Sequence, residues 1–495
     1  MSISSLIKSI QDIMRKDVGV DGDAQRIGQL VWMFFLKIFD DREQEYELLN
    51  DKYKSPIPTR LRWRNWAADA EGITGDELMD FINNDLFRNL KNLQPAQDDP
   101  RGYVIRNVFE DAYNYMKSGH LMRQVINKIE AGINFNKAAD RHLFGDIYEQ
   151  ILKDLQSAGN AGEYYTPRAV TQFMVDMVDP KLGDRVLDPA CGTGGFLTCT
   201  IEHVRKHYVK TVEDEQRLQE SIIGVEKKPL PHLLCTTNMI LHGLDVPINI
   251  RHDNTLARPL RDYTPSSKVE VILTNPPFGG MEEDGIEANF PANFRTKETA
   301  DLFLVLITHL LKDGGRAAVV LPDGTLFGEG IKTRIKEHLL ETCNLHTIVR
   351  LPNGVFSPYT GIKTNLLFFT KGSPTKEIWY YEHPYPEGAK SYNKTKPMRI
   401  EEFAPEKAWW GGSNRMGRVE NEYAWRVSIE EIKARNYNLD CKNPHVGEQE
   451  IHDPELLLAQ YNVMQNDIAA LRGQLRSILS AALEKQPLPP LQSGD

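Results

Sequence analysis

The stretch Arg185-Val186-Leu187-Asp188-Pro189-Ala190-Cys191-Gly192-Thr193-Gly194-Gly195-Phe196 constrains this chain more than any other. A short apolar strand through Val186 and Leu187 ends in an acid, a loop of small residues follows, and a helix begins near Phe196 and Leu197. Glycines at 192, 194 and 195 let the backbone turn sharply and approach a ligand where a Cβ would intrude. Strand, small-residue loop and helix is the nucleotide-site construction of an open α/β sheet, whose ligand lies beyond the strand's carboxyl end. The spacing is not G-x-G-x-x-G, which argues against a dinucleotide. A carboxylate at the strand tip is also a poor neighbour for a pyrophosphate. It suits a ligand with positive charge and hydroxyls, such as S-adenosyl-L-methionine.

A second signal follows downstream. Val269 to Thr274 reads as a buried strand and runs directly into Asn275-Pro276-Pro277-Phe278. Consecutive prolines fix φ and remove N–H donors, so the chain makes a rigid corner. That corner presents an Asn amide oxygen, backbone carbonyl oxygen and an aromatic face. It can accept two hydrogen bonds from an exocyclic amino group and stack on the ring that carries it. In isolation it could be an ordinary turn; after a buried strand and downstream of the glycine loop it reads as a site. Between the two lie Ser221 to Glu226, a strand also ending in an acid, and a helix over Leu230–His242. An acid in Glu226's position holds ribose hydroxyls in α/β sheets. The gap from the glycine loop is long for that role, and the charged stretch Lys206 to Glu220 accounts for the excess. His252 and Asp253 could be taken for an acid–base pair, but neighbours on a strand point to opposite faces.

These stretches resemble motifs I and IV of amino-group DNA methyltransferases, and the flanks resemble the modification (M) subunit of type I restriction-modification systems. Ala161 to Arg168 resembles motif X, and the order X, I, IV is that of the gamma class. The resemblance implies an α/β fold: a Rossmann-like S-adenosylmethionine-dependent methyltransferase sheet, mostly parallel, with one antiparallel strand near Thr364–Phe369. An N-terminal all-helical domain and a C-terminal coiled-coil-type helix flank it. It assigns Glu163, Tyr164, Tyr165, Thr166, Pro167, Arg168, Asp188, Gly192, Thr193, Gly194, Gly195, Phe196, Glu226 and Asp253 to the cofactor, and Asn275, Pro276, Pro277 and Phe278 to catalysis. The implied reaction is methylation of adenine N6 in double-stranded DNA, on a base extruded from the stack. The implied partners are a specificity (S) subunit, a second modification subunit and a restriction (R) subunit.

The chain's 495 residues predict several domains. The divisions expected are a helical domain over 1–140, the catalytic domain over 141–400, an extension over 401–450, and an interaction helix with a loose tail over 451–495. Residues Leu30 to Asp41 are apolar nearly all round and predict a buried helix, whereas Asp51 to Arg64 reads as a loop. Thr166-Pro167 reads as N-cap and first helical residue. The segment 279–299 reads as a polar loop that could form a lid, and Gly354 to Gly361 resembles a loop covering the flipped base. Leu457, Tyr461, Met464, Ile468, Leu471, Leu475, Ile478 and Ala482 form a heptad seam behind an Asp453-Pro454 start, pointing to a partner helix.

The five cysteines form no C-x-x-C pair and no zinc-spaced cluster. That composition predicts a reduced, cytoplasmic setting and no metal. No apolar run is long enough to span a membrane. The net charge of −10 is unusual for a DNA-binding chain, because phosphate neutralisation supplies most such affinity; a basic partner is expected. Three alternatives stay open: a solitary DNA adenine methyltransferase, an amino-group methyltransferase acting on RNA or protein glutamine, and a non-catalytic assembly protein.

Overall fold

The computed structural model describes residues 3–95, 99–132, 148, 166–357, 360–389, 391–393, 396–445 and 454–484. Among them run β1 (Val186–Asp188), β2 (Ile222–Glu226), β3 (Ile250–His252), β4 (Val269–Thr274), β5 (Leu311–Pro322), β6 (Cys343–Arg350), β7 (Thr364–Lys371), β8 (Glu377–Glu382) and β9 (Ala424–Ser428). They form one sheet in the order β3-β2-β1-β4-β5-β7-β6-β8-β9. Pairings from β3 through β5 are parallel, and β7 runs antiparallel between β5 and β6. That antiparallel strand lies where the resemblance placed it, but it is not alone: β9, antiparallel to β8 at the sheet's edge, is a second one that the resemblance did not imply. Strand order reverses at β1 and β4, so the carboxyl ends of these two neighbours flank the crevice where open α/β sheets bind ligands.

The central strands are buried on both sides. Val271 and Leu273 face a core shared with the helices Arg168–Val178 and Gly195–His207, while Ile272 faces one shared with Thr299–Leu310. The period of two thus sends successive residues into opposite cores, and Val/Ile/Leu density replaces polar alternation because neither face is wet.

Three local expectations change. The sequence suggests a helix over Leu302–Leu311 that ends at Gly314-Gly315, but the helix stops at Leu310 and β5 begins at Leu311. Gly314 has φ +77 where the β4–β5 register shifts, so the glycines accommodate an irregularity inside a strand. Asp51 to Arg64 is not purely loop, since Thr59–Leu61 and Trp63–Trp66 form helical turns that bury Trp63. Residues 373–450, which carried no pattern-based reading, lengthen the sheet: β8 joins β6 and β9 joins β8, with Trp425 stacked on Tyr380 at 5.4 Å.

In the N-terminal region the helix Asp23–Leu49 is buried continuously from Ile27 to Asp41. Its one buried lysine, Lys37, pairs with Asp41 and Glu130 at 3.0 Å each, as a charge removed from water requires. Leu233, Leu234 and Ile240 of the helix Pro229–Leu241 belong to the same core, so the helical region packs on the sheet's own helix. The sequence also predicts a helix over 139–151 and a flexible joint at Gly159–Gly162; apart from buried Tyr148, both lie outside the described residues.

Residues 1–443 form one compact unit and 444–495 another. The second contains the helix Pro454–Glu484, on which Tyr461, Met464, Ile468, Leu471, Leu475 and Ile478 are exposed. Asp453, and the side chains of Leu457 and Ala482, lie outside the described residues. No described helix is long and apolar enough to cross a membrane.

Candidate active site

Asp188 ends β1 and is 1% exposed. Its Oδ1 accepts hydrogen bonds from Thr274 Oγ1 at 2.7 Å and from the Ala190 N–H at 3.1 Å. Burial pushes the carboxyl up to about 7, and the Glu226 charge adds to this against the pull of those two bonds. Thr274 is the last residue of β4, so one hydrogen bond couples the glycine-loop strand to the strand that carries the proline corner. The sequence reading missed Thr274. A hydroxyl at the end of an otherwise Val/Ile/Leu strand was the signal available.

The glycine loop is held from beneath. Gly192 donates its N–H to Glu226 Oε2 at 2.9 Å, Lys228 donates to Oε1 at 2.8 Å, and Asn238 Nδ2 donates to the Thr193 carbonyl at 3.0 Å. Gly192 has φ +52 and a Cβ there would meet nothing within 4 Å, so this residue borders open space. At Gly194, φ +86, a Cβ would lie 2.9 Å from Cys235 Sγ and from Met239 Cε. That glycine is required by the helix packed behind the loop rather than by a ligand. Phe196 is core, which leaves Gly192, Thr193 and Gly195 as the loop's half-buried rim. Asp253, just past β3, is exposed and donates its backbone N–H to the Glu226 carbonyl at 2.9 Å.

Glu163, Tyr164 and Tyr165 lie outside the described residues. Thr166 is not the N-cap that the sequence suggested, because the helix starts at Arg168 with Pro167 in the capping position and no side-chain cap. The Thr166 hydroxyl instead accepts a 2.8 Å hydrogen bond from Asn275 Nδ2. Arg168 turns to the helix Gly195–His207, donating to Thr198 Oγ1 at 2.9 Å and to Glu202. It ties two helices together beside the crevice.

At the corner, Asn275 is half-buried, Pro276 buried, Pro277 exposed and Phe278 buried. With Nδ2 committed to Thr166, the amide's other end is fixed in direction. Asn275 Oδ1 is buried and has no hydrogen-bond partner among the described residues. A polar atom left in that state costs about 1–3 kcal/mol unless a ligand satisfies it. Phe278 meets Phe356 edge-on, with centroids 6.2 Å apart. Phe356 and Val355 of the Gly354–Gly361 loop are buried, whereas Gly361 at its end is exposed; Pro358 and Tyr359 lie outside the described residues. The loop 279–299 is latched: Met281 bridges to Glu298, and Glu282 Oε2 accepts from Asn254 Nδ2 at 3.3 Å and Lys227 Nζ at 3.1 Å.

The crevice is therefore bordered by two carboxylates, Glu226 and the buried Asp188, by an open glycine rim and by an amide oxygen without a partner among the described residues. That set fits a ligand bearing hydroxyls and positive charge beside a second group bearing an N–H donor.

Comparison with known proteins agrees. The N-6 DNA Methylase family model matches residues 139–453, and the HsdM N-terminal domain model matches residues 3–129. The chain is 66% identical over 486 residues to the type I restriction enzyme EcoEI methylase subunit of Escherichia coli, covering 98% of this chain and 99% of that protein. Identity to the EcoKI methylase subunit of the same species is 29% over 82% of this chain and 76% of that one. Among solved structures, a modification subunit assigned to a type I restriction enzyme of Vibrio vulnificus superposes with a TM-score of 0.80 at 48% identity, covering 90% and 97% of the two chains.

Proposed function

The chain belongs to the methylase subunits of type I restriction enzymes, and from that membership we propose how its crevice methylates adenine N6 in DNA. S-adenosyl-L-methionine, when bound, supplies an electrophilic methyl group on a sulfonium. Glu226, whose oxygens orient two backbone N–H groups at the end of β2, is the acid placed for the ribose hydroxyls. Asp188 offers its carboxylate to the donor's positive charge, and Gly192, Thr193 and Gly195 form the rim along which the backbone lies close. Thr166 and Pro167 border the methionine end, to which the resemblance also assigns Glu163, Tyr164 and Tyr165, while Asp253 borders the adenine end. Gly194 and Phe196 support the loop from within, and Arg168 positions it through Thr198.

The observation that carries this reading is the Asn275 Oδ1, buried and without a hydrogen-bond partner among the described residues. An exocyclic amine is a poor nucleophile because its lone pair is delocalised into the ring. Asn275 Oδ1 and the Pro276 carbonyl accept hydrogen bonds from its two N–H groups and draw density back onto nitrogen, which is preorganised electrostatics rather than base catalysis; the surplus proton leaves to water after the methyl group has moved from sulfur to nitrogen. Pro277 keeps the corner rigid, and Phe278, braced by Phe356, provides the face for the extruded base. Alignment of donor and amine supplies much of the remaining rate.

The proposed partners follow from charge and exposure. A chain of net charge −10 gains DNA affinity from a basic specificity subunit that reads the site. The exposed apolar seam from Tyr461 to Ile478 is the surface offered to it. A second modification subunit and a restriction subunit complete the assembly. Five free, buried cysteines suit a cytoplasmic setting.

The test is co-expression with the specificity subunit and sequencing of cellular DNA with methylation detection. N6-methyladenine at one bipartite site, lost in Asn275→Ala, is expected. Methylation without the specificity subunit would favour a solitary enzyme. Methylated RNA or glutamine with unmodified DNA would overturn the substrate assignment.

A further inference from the structure

Outside the methyl-transfer crevice, three chemistry-bearing side chains converge from separate elements. Asp111 ends the helix Pro100–Asp111, His232 lies on Pro229–Leu241, and His252 ends β3. Asp111 Oδ2 lies 3.0 Å from His232 Nδ1 and 2.9 Å from His252 Nδ1. The rings stack 19° from parallel with centroids 5.3 Å apart. Their far nitrogens face backbone carbonyls: His232 Nε2 is 3.4 Å from the Ile250 oxygen, and His252 Nε2 is 3.0 Å from the Lys227 oxygen.

A neutral imidazole has one N–H and one lone pair. With the proton on Nε2, the Nδ1 lone pair confronts a carboxylate. With it on Nδ1, the Nε2 lone pair confronts a carbonyl. No neutral ring satisfies both ends. A cation standing among the three converging donors would satisfy both ends of each ring.

We propose that Asp111, His232 and His252 bind one divalent transition-metal ion, with Zn²⁺ the best fit, through Oδ2 and the two Nδ1 atoms. Two imidazole nitrogens and a carboxylate oxygen suit Zn²⁺ rather than Mg²⁺ or Ca²⁺, which prefer all-oxygen sets. Nε2–H groups directed at backbone carbonyls are the outer arrangement that fixes the tautomer and orientation of ligating histidines. Bonds of about 2.0–2.2 Å to each donor require the present cluster to spread only slightly. A cavity of about 280 Å³, lined by Tyr113, Tyr115, Lys228 and Pro231 among others, reaches Asp111.

His252 pairs in register with Glu226 across β3 and β2. The ion would therefore clasp the N-terminal helical region to the strand ends that bear the ribose acid, a structural role separate from the chemistry. Sequence spacing hid the site because Asp111 and His232 are 121 residues apart. Among the described residues this is the one such group of three.

The test uses the full-length protein, stripped with a chelator, titrated with Zn²⁺ by calorimetry, and loaded with Co²⁺ for absorption spectroscopy. One ion per chain is expected, with affinity reduced at least about tenfold in His252→Gln and in Asp111→Asn. Co²⁺ should give d–d bands without a thiolate charge-transfer band. Circular dichroism checks that each variant folds. Should either fail, the ligands are read on the parent protein from histidine ¹⁵N shifts with and without Zn²⁺. Absence of stoichiometric uptake, uptake retained in both folded variants, thiolate bands, or two imidazolium rings persisting in excess Zn²⁺ would each overturn the assignment. None of these readouts involves methylation, so their failure and that of the proposed function are distinguishable.

Discussion

The loop after β1 and the corner after β4 stand at the ends of neighbouring parallel strands, yet they spend their polar groups differently. In the glycine loop, Asp188, the Gly192 N–H and the Thr193 carbonyl all have protein partners. At the corner, Thr166 fixes one end of the Asn275 amide and the other end has no described partner. The first is a finished cradle whose shape selects a ligand. The second holds hydrogen-bonding capacity in reserve for a group whose protons arrive with the substrate. Thr274, bonded to Asp188 and adjacent to Asn275, keeps cradle and corner in one frame.

If the two regions divide the work in this way, substitutions should separate binding from turnover. Asn275→Ala should lower single-turnover methylation by about 10²–10³-fold, the usual cost of removing one preorganised group. Calorimetric affinity for S-adenosyl-L-methionine should stay near that of the parent. Gly192→Val should do the reverse and weaken the cofactor at least about tenfold, because a β-branched residue is strained at φ +52 and displaces the N–H given to Glu226. Parallel loss of both properties in either variant would erase the distinction.

A smaller effect concerns pH. Asp188 is held up to about 7 by burial, so it is largely neutral below that value and can meet a positive donor only after ionising. Cofactor affinity should therefore rise roughly tenfold from about pH 6 to about pH 8, following the ionised fraction, and Asp188→Asn should flatten the profile. The linkage sign for stability is opposite. The folded carboxyl binds its proton more tightly than the unfolded one, so the cofactor-free chain should lose stability as pH rises from about 4 to about 7. Thermal melts of parent and Asp188→Asn across that window read it. The smallest effect belongs to Thr166→Val, which frees the Asn275 amide. A loss of about 1 kcal/mol, roughly fivefold in kcat with cofactor affinity unchanged, is expected in steady-state assays.

Legibility in the sequence followed how local the determinants were. The glycine loop, the proline corner, the β2 acid and the buried helix around Leu30–Phe39 are continuous stretches whose pattern announces them. Thr166 looked like a helix cap because Thr-Pro is good cap chemistry; its actual partner is an amide contributed by β4, which no local pattern reveals. Arg168 and Phe196 sit in motif stretches but face a neighbouring helix and the core, since a motif specifies a backbone path more tightly than each side chain's direction. Strands β8 and β9, six and five residues long, are too short for alternation to stand out, and β8 pairs with β6 rather than with β7, its neighbour in sequence. The Asp111–His232–His252 cluster is the extreme case, assembled wholly by tertiary packing.

The most direct measurement is the structure of the assembled enzyme on its DNA site with a non-reactive cofactor analogue. The extruded adenine's N6 should lie about 3 Å from Asn275 Oδ1 and from the Pro276 carbonyl, within hydrogen-bonding range, with its ring against Phe278. An adenine seated elsewhere, or an Asn275 oxygen bonded to the protein while the base is flipped, would contradict the division between cradle and corner.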